Sequence, residues 1–278
     1  MIDAHQHFWR LHQNDCVWPT PDLAAIHRDF ELAELKSVAA PLGVRGSVLV
    51  QSQPSARDTD YLLDLAARDP FILGVVGWTE LKAADAPARI RALAARPKLV
   101  GLRPMLQSLP EDDWIADPAL DAAIDVMVEQ GLVLDALVFT RHLPHLSLLV
   151  RRRPELKVVV DHGAKPPIAA GELDPWRERM AALAEAPQVA CKLSGLLTEA
   201  APGQGEAELA PYVDHLVEVF GPERLIFGSD WPVLNLASDY AGWLAIAKRL
   251  TAPLGAAAQA LIFGGVAART YGLPQVAI

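Results

Sequence analysis

The chain has 278 residues, of which 51% are hydrophobic, and its formal net charge is −9. Its largest basic cluster is the short run Arg151–Arg153, so the acidic balance argues against a nucleic-acid partner. Its two cysteines, Cys16 and Cys191, form no CxxC pair, which argues against a thiolate metal site and a disulfide framework.

The sequence lacks the patterns of a membrane or secreted protein. The N-terminus has no basic and apolar leader, and no apolar run approaches the roughly 18 residues of a transmembrane helix. We therefore predict a cytoplasmic protein with no membrane partner. The composition leaves open whether the chain associates with copies of itself.

Short apolar runs rich in Val, Ile or Leu recur along the chain and predict buried parallel strands. We predict them at residues 1–4, 46–51, 71–77, 99–103, 132–138, 156–161, 188–194 and 224–229. Helix signals separate most of them, at residues 31–40, 55–68, 206–220, 239–250 and 256–271. Asp117-Pro118 and Asp174-Pro175 predict two more helix starts, each with an N-cap aspartate and a proline at the first helical position.

Eight such units in fewer than 300 residues predict the α/β class and a single TIM-like (β/α)8 barrel. We predict one domain over residues 1–278. An open, doubly wound sheet is the second choice, but no GxGxxG turn follows any predicted strand.

The first strand ends in a His-x-His pair. Side chains at positions i and i+2 of a strand point to the same face, so His5 and His7 are expected to project together. Two adjacent imidazoles form half of a metal site or a pair that polarises a carbonyl group. An exposed N-terminal tail is the alternative, but the apolar residue Ile2 and the following strand pattern disfavour it.

Other polar residues close later strands, where the catalytic residues of such barrels gather. Taken singly, each residue has a structural alternative. The alternatives are an ion pair with a helix carboxylate for Arg103, a loop position for His162 and a turn cap for Asp230. Together with the His pair, they predict a site that activates water against an electrophilic carbonyl. His142 is a minor candidate, and Lys192 has no second acidic group that would mark a Schiff-base lysine.

Five segments carry a resemblance to a known family, in order and over nearly the whole chain. They resemble the amidohydrolase family 2 branch of the amidohydrolase superfamily, and most of all its sugar lactonases, the L-fuconolactonases and L-rhamnonolactonases. The segments are Ile2-Asp3-Ala4-His5-Gln6-His7-Phe8-Trp9, Gly101-Leu102-Arg103, Asp161-His162-Gly163-Ala164-Lys165-Pro166, Lys192-Leu193-Ser194-Gly195 and Phe227-Gly228-Ser229-Asp230-Trp231-Pro232.

The resemblance implies a distorted (β/α)8 barrel that hydrolyses an aldonolactone to its sugar acid. It implies that Asp230 handles the water and that Arg103 holds substrate oxygens. It also implies that three histidines, His5, His7 and His162, surround the carbonyl oxygen or bind a metal together with Asp230.

The chemistry of a polyhydroxylated ring suggests further binding residues near the strand ends. Flat indole faces and amide groups suit such a ring, so we expect Gln51, Trp78 and Trp231 to bind the substrate. The substrate expected here is a small neutral sugar lactone.

The chain departs from the family pattern at two places. The fifth strand ends in Asp135-Ala136-Leu137-Val138, without the histidine or lysine of relatives with a full metal centre. We therefore expect at most one divalent ion such as Zn2+, and the pattern leaves open that none is required. Val266 stands where relatives carry Asn, which we expect to alter only local hydrogen bonding.

Two rival functions stay open. The first is hydrolysis of a dicarboxylate, pyrone-type lactone, or a metal-dependent decarboxylation, on the same scaffold; it calls for several cations, and only Arg103 is well placed. The second is a sugar-binding protein without catalysis, which Asp230 argues against because a binder gains little from a carboxylate beside the carbonyl.

Overall fold

Eight parallel strands form the centre of the structure, a computed structural model that describes residues 1–274. They pair in chain order: β1 Ile2–Gln6, β2 Gly46–Val50, β3 Ile72–Gly77, β4 Leu99–Leu102, β5 Val133–Ala136, β6 Val158–Val160, β7 Val189–Leu193 and β8 Leu225–Phe227. A parallel bridge between Gln6 and Trp231 joins the two ends of the sheet. The predicted (β/α)8 barrel is thus confirmed.

Helices connect the strands on the outside of the barrel. They are α1 Leu32–Ala39, α2 Ala56–Arg68, α3 Ala86–Ala94, α4 Asp121–Glu129, α5 Leu143–Arg152, α6 Trp176–Ala184, α7 Glu206–Phe220, α8 Tyr240–Thr251, α9 Ala256–Ala260 and α10 Val266–Tyr271. None of the helices described between residues 1 and 274 has the length and apolar character to cross a membrane.

Side-chain caps explain where several helices begin. The Ser55 hydroxyl accepts a hydrogen bond from the backbone N–H two residues later and starts α2. Asp117 caps a short 3-10 turn that leads into α4, close to the predicted start. The prediction for Asp174 was wrong: Pro175 occupies the N-cap position of α6, and the Asp174 carboxylate instead pairs with Arg177 at 2.7 Å.

The last predicted helix, 256–271, is broken by a wide turn over Leu261–Gly265. This turn directs α10 into the lower end of the barrel, where Val266 and Tyr271 join the apolar residues of the strands' inner faces. Val266 stands where the family pattern has Asn, and we predicted an effect on hydrogen bonding alone. Its side chain is 1% exposed and packs in this apolar cluster, so it contributes to packing. The apolar floor of the barrel leaves its opposite end for polar side chains.

Candidate active site

Three histidines and one aspartate meet at the carboxyl ends of β1, β6 and β8, and we call them the cavity cluster: His5, His7, His162 and Asp230. All four are buried, the most exposed at only 4%. The Nε2 atoms of His5 and His7 are 3.2 Å apart. Asp230 Oδ1 lies 3.3, 3.6 and 3.8 Å from the Nε2 atoms of His7, His5 and His162. The structure therefore brings together all four predicted catalytic residues.

Backbone contacts fix the cluster. The Asp230 N–H donates to the His5 carbonyl, and the His7 N–H donates to the Trp231 carbonyl, both at 2.8 Å. These two bonds align the end of β8 with the end of β1. Gly195 leaves the space that the His162 ring fills, since a Cβ at this position would lie 2.5 Å from His162 Nδ1.

Each histidine of the cluster has a second contact through its other ring nitrogen. His7 Nδ1 donates to the Val50 carbonyl at 2.8 Å, so in the neutral ring Nε2 presents a lone pair to the cluster. His162 Nδ1 lies 2.8 Å from Ser194 Oγ. His5 Nδ1 lies 3.3 Å from a carboxylate oxygen of Asp161. Contacts of this kind orient histidines that ligate metals.

The electrostatics of the cluster favour neutral His5 and His162 rings beside an ionised carboxylate. Burial lowers the pKa of His162 to about 4. Burial, and then the charge of Lys192, lower the pKa of His5 well below its usual value. Burial alone would raise the pKa of Asp230, but the neighbouring imidazoles, His162 first, hold it below the usual range of a carboxyl group. At neutral pH the cluster therefore carries the negative charge of Asp230.

Asp230 Oδ1 is buried and has no hydrogen-bond partner among residues 1–274. A buried carboxylate oxygen without a partner is unfavourable. It faces three imidazole nitrogens, and His5, His7 and Asp230 together have the spacing of a metal-binding group. This donor set suits a divalent ion such as Zn2+, which binds imidazole and carboxylate ligands.

A cavity of about 310 Å3 opens above the cluster. His7, His162, Asp230 and Arg103 line its base. The apolar residues of its walls are Val17, Trp18, Pro54, Met105, Leu137 and Val233, and the polar ones are Ser52, Gln53, Gln107, Ser108 and Lys165. Such a mixed lining suits a ligand with both C–H faces and hydroxyl groups.

Three of the predicted substrate-binding residues do not line this cavity. Gln51 is buried and donates to the Arg103 carbonyl at 3.0 Å. Trp231 packs edge-on against Phe8 and Phe30, on the side of the helices. The backbone of Trp78 bonds to the Thr59 hydroxyl, and its side chain is half-buried away from the lining. Of the four predicted, only Arg103 reaches the cavity.

A different tryptophan forms part of the wall. Trp18 lies on the loop after β1, and Gln53 holds this loop through two hydrogen bonds. Gln53 Nε2 donates to the Trp18 carbonyl at 2.6 Å, and its Oε1 accepts from the Val17 N–H at 3.0 Å. In the sequence, the two prolines at positions 19 and 21 indicate a loop here but carry no signal that it contributes to the cavity wall.

His142, the minor candidate, has a local role. It is 1% exposed, and its Nδ1 accepts a hydrogen bond from the Phe139 N–H at 2.9 Å. It does not line the cavity.

A parallel (β/α)8 barrel with imidazoles and a carboxylate at its strand ends defines a class of enzymes that activate water. The chain matches the amidohydrolase family model over residues 2–273 and belongs to this family. This confirms the family that the motifs indicated.

Individual relatives match along nearly the full length. The chain is 50% identical over 274 residues to the L-fucono-1,5-lactonase of Burkholderia ambifaria, covering 97% of this chain and 94% of that protein. It is 35% identical to an L-fucono-1,5-lactonase of Burkholderia multivorans, over 99% of this chain and 97% of that protein. The crystal structure of a Burkholderia multivorans amidohydrolase with bound Zn has a TM-score of 0.91 and 34% identity, over 98% of this chain and 99% of that chain.

Proposed function

We propose that this enzyme hydrolyses a sugar lactone of the L-fucono-1,5-lactone type to the open-chain sugar acid. The observation that carries the proposal is the Asp230 carboxylate, which lines the cavity beside three imidazoles with one oxygen unpaired among the described residues. The names of the two lactonases in Burkholderia species support the substrate class.

A lactone is an activated ester, so its hydrolysis requires a base for the attacking water and a group that stabilises the oxyanion. Asp230 accepts the proton of the water, since its lowered pKa keeps it ionised at neutral pH. Arg103 Nη1 lies 3.5 Å from His5 Nε2, and the residue lines the same cavity. It holds substrate oxygens there as a fixed cation. The loss of one group that stabilises the oxyanion typically raises the activation free energy by about 2.7–4 kcal/mol.

The cavity cluster would hold one divalent ion through His5, His7, His162 and Asp230. The lone pair on His7 Nε2 and the unpaired Asp230 Oδ1 support this assignment. When bound, the ion supplies a Lewis acid that polarises the lactone carbonyl. The bound Zn of the Burkholderia multivorans amidohydrolase favours zinc.

Asp161 is a poorer ligand, although it lies near His5 and His162. Its two oxygens lie 2.9 Å from Lys192 Nζ and 3.2 Å from Arg103 Nη1. Two cations already neutralise this carboxylate, so the cluster offers one free carboxylate and a single metal site.

The charges of the cavity favour a neutral substrate. The sequence indicated Arg103 as the only well-placed cation, and this was wrong, because Lys165 lines the cavity as well. Each cation is already paired, Arg103 with Asp161 and Lys165 with Glu199. A bound dicarboxylate would leave buried charge uncompensated, which costs several kcal/mol. A neutral ring can instead form hydrogen bonds with Gln107 and pack on Trp18.

The test is a turnover assay with a pH indicator on a panel of lactones. We expect six-carbon L-sugar lactones to exceed any dicarboxylate lactone in kcat/KM by about 100-fold, the ratio that corresponds to several kcal/mol. Asp230→Asn protein corrects for spontaneous hydrolysis. A better rate with a pyrone dicarboxylate, or carbon dioxide release from an aromatic acid, would establish the rival enzyme. Saturable lactone binding without acid release would establish the sugar-binding protein.

Two further parts of the proposal concern the whole chain. We propose one domain for residues 1–278; barrel elements from Ile2 to Tyr271 support it, and residues 275–278 lie outside the described part. We also propose a cytoplasmic location, which fractionation of the producing cells would test. Association between copies of the chain is left open.

A further inference from the structure

A second group of polar side chains lies inside the barrel, below the cavity cluster. We call it the buried layer: Lys192, Asp135, Asp161 and Tyr271. The lysine and both aspartates are 0% exposed, and Tyr271 is 5% exposed. Charged groups in such a place are unfavourable unless they are paired.

Lys192 is the centre of the buried layer. Its ammonium group donates to Asp135 Oδ2, and it lies 2.9 Å from Asp161 Oδ1 and 3.1 Å from His5 Nδ1. An ammonium group has three N–H donors and no acceptor. The two carboxylates and the His5 ring surround the ammonium group and fix its position beside His5.

Tyr271 connects the buried layer to the C-terminal helix. Its hydroxyl lies 2.8 and 3.0 Å from the two oxygens of Asp135. Helix α10 packs Tyr271 among the inner-face residues of the strands. The Asp135 carboxylate is thus held between the tyrosine on one side and Lys192 on the other.

Asp161 connects the buried layer to the cavity. Its Oδ1 atom is shared by Lys192 and His5, and its Oδ2 accepts a hydrogen bond from Arg103 Nη1 at 3.2 Å. His5 belongs to the cavity cluster, and Arg103 lines the cavity. Contacts therefore run without a gap from α10 to two groups that face the substrate.

We propose that Tyr271, Asp135 and Lys192 are positioning residues for the hydrolysis. They hold the His5 imidazole and the Asp161 carboxylate, and through Asp161 the Arg103 guanidinium, in the orientation that the reaction requires. The inference rests on the proposed function. It makes the C-terminal helix part of the catalytic apparatus, although none of its residues lines the cavity.

Stability alone is a weak explanation for these charges. A buried ion pair can often be replaced by apolar residues of similar volume without loss of stability. The inner faces of the neighbouring strands are apolar, for example at Val133, Val159 and Ile226. A misplacement of about 1 Å in an active site, by contrast, lowers the rate by about 100-fold. Rigid support directly beneath His5 therefore favours a positioning role.

The variant Tyr271→Phe removes one hydroxyl and leaves every charge in place. We expect its kcat on a six-carbon L-sugar lactone to fall about five- to tenfold, with KM within twofold of wild type, because the hydroxyl acts on orientation rather than on substrate contact. Asp135→Asn, nearly isosteric, should lower kcat further, again with little change in KM.

Tyr212→Phe is the matched control. The Tyr212 side chain is also buried, at 3% exposed, but its hydroxyl donates to the backbone carbonyl of Glu172 at 3.0 Å, outside both the cavity cluster and the buried layer. Both tyrosine variants should lose similar thermal stability, and Tyr212→Phe should keep kcat within twofold. Equal losses of kcat in the two variants, or no loss in either, would overturn the positioning role.

A second readout does not depend on the substrate. The ring nitrogens of His5 should change their NMR chemical shifts in Tyr271→Phe and Asp135→Asn, while those of His215, which bonds the Arg177 carbonyl, stay unchanged. A wild-type protein without lactonase activity would refute the proposed function. The shifts would still decide whether the buried layer orients His5, and unchanged His5 shifts would refute that.

Discussion

The cavity cluster and the buried layer use similar residue types in the same barrel, but they differ in how their polar atoms are paired. In the buried layer, three neighbours surround the Lys192 ammonium group. In the cavity cluster, Asp230 Oδ1 has no hydrogen-bond partner among the described residues, and His7 Nε2 presents a lone pair. Asp161 Oδ1 also lacks a hydrogen bond among the described residues, but the Lys192 ammonium group lies 2.9 Å from it. Ion pairs therefore hold the buried layer in place, whereas Asp230 faces imidazoles and keeps the capacity to bind a ligand. The comparison locates the chemistry in the cavity cluster and its support in the buried layer.

The largest effect is expected from Asp230→Asn, which removes the charge of the cavity cluster and keeps its shape. We expect kcat to fall by about 10²–10⁴-fold, the usual contribution of a general base, with the circular dichroism spectrum unchanged. Steady-state kinetics on the preferred lactone measure this loss. Retention of more than about a tenth of the wild-type kcat would remove Asp230 from the role of base.

Lys192→Met tests the buried layer, because it leaves Asp135 without its cation and Asp161 with Arg103 alone. We expect the free energy of unfolding to fall by about 3–5 kcal/mol, as when one partner of a buried ion pair is removed. Lys36→Met is the control, since Lys36 pairs with Asp69 at 2.9 Å and is 42% exposed. An exposed pair contributes about 0–1 kcal/mol. Urea denaturation curves that show equal losses of unfolding free energy for both variants would contradict the pairing described for the buried layer.

The cavity cluster could be predicted from the sequence better than the buried layer. His5 and His7 follow from the two-residue period of a strand, and His162 and Asp230 from their positions at strand ends. Lys192 and Asp135 lie within strands, where only the register decides whether a side chain faces the barrel interior or the helices. The contribution of Tyr271 depends on the wide turn at Leu261–Gly265, which broke the predicted helix and which no pattern signalled.

The cavity walls were the least predictable part. Trp78 and Trp231 were chosen because they follow strands, yet Trp231 packs on the side of the helices. Trp18 forms part of the wall because Gln53 holds its loop, a contact between residues 35 positions apart. Loop conformations set by such long-range contacts leave no periodic signal in the sequence.

A smaller effect is expected from pH, and it concerns the neutral imidazole of His162. The pKa of His162 is about 4 in the folded protein and about 6.5 in the unfolded chain. As pH falls between these values, the unfolded chain takes up a proton that the folded protein does not, so stability is lost. We expect the wild type to lose about 1 kcal/mol more per pH unit than His162→Gln between pH 6 and 5.

Urea midpoints in the presence of a chelator measure this difference. The comparison of variants is needed because Asp58, with a pKa raised by burial to about 6, acts in the opposite direction. It favours the folded state as pH falls, and it is common to both proteins. Parallel pH profiles would mean that His162 is not neutral in the folded protein.

The most direct test of the account is the metal content of the wild-type protein, measured by elemental analysis together with lactonase activity after chelation and reconstitution. We expect one divalent ion per chain, lost with the activity on chelation and regained with it when Zn2+ is added. We expect no bound ion in His7→Gln and a full equivalent in Tyr271→Phe, because His7 belongs to the proposed ligand set and Tyr271 does not. Two equivalents of metal per chain, or full activity in metal-free protein, would contradict the account.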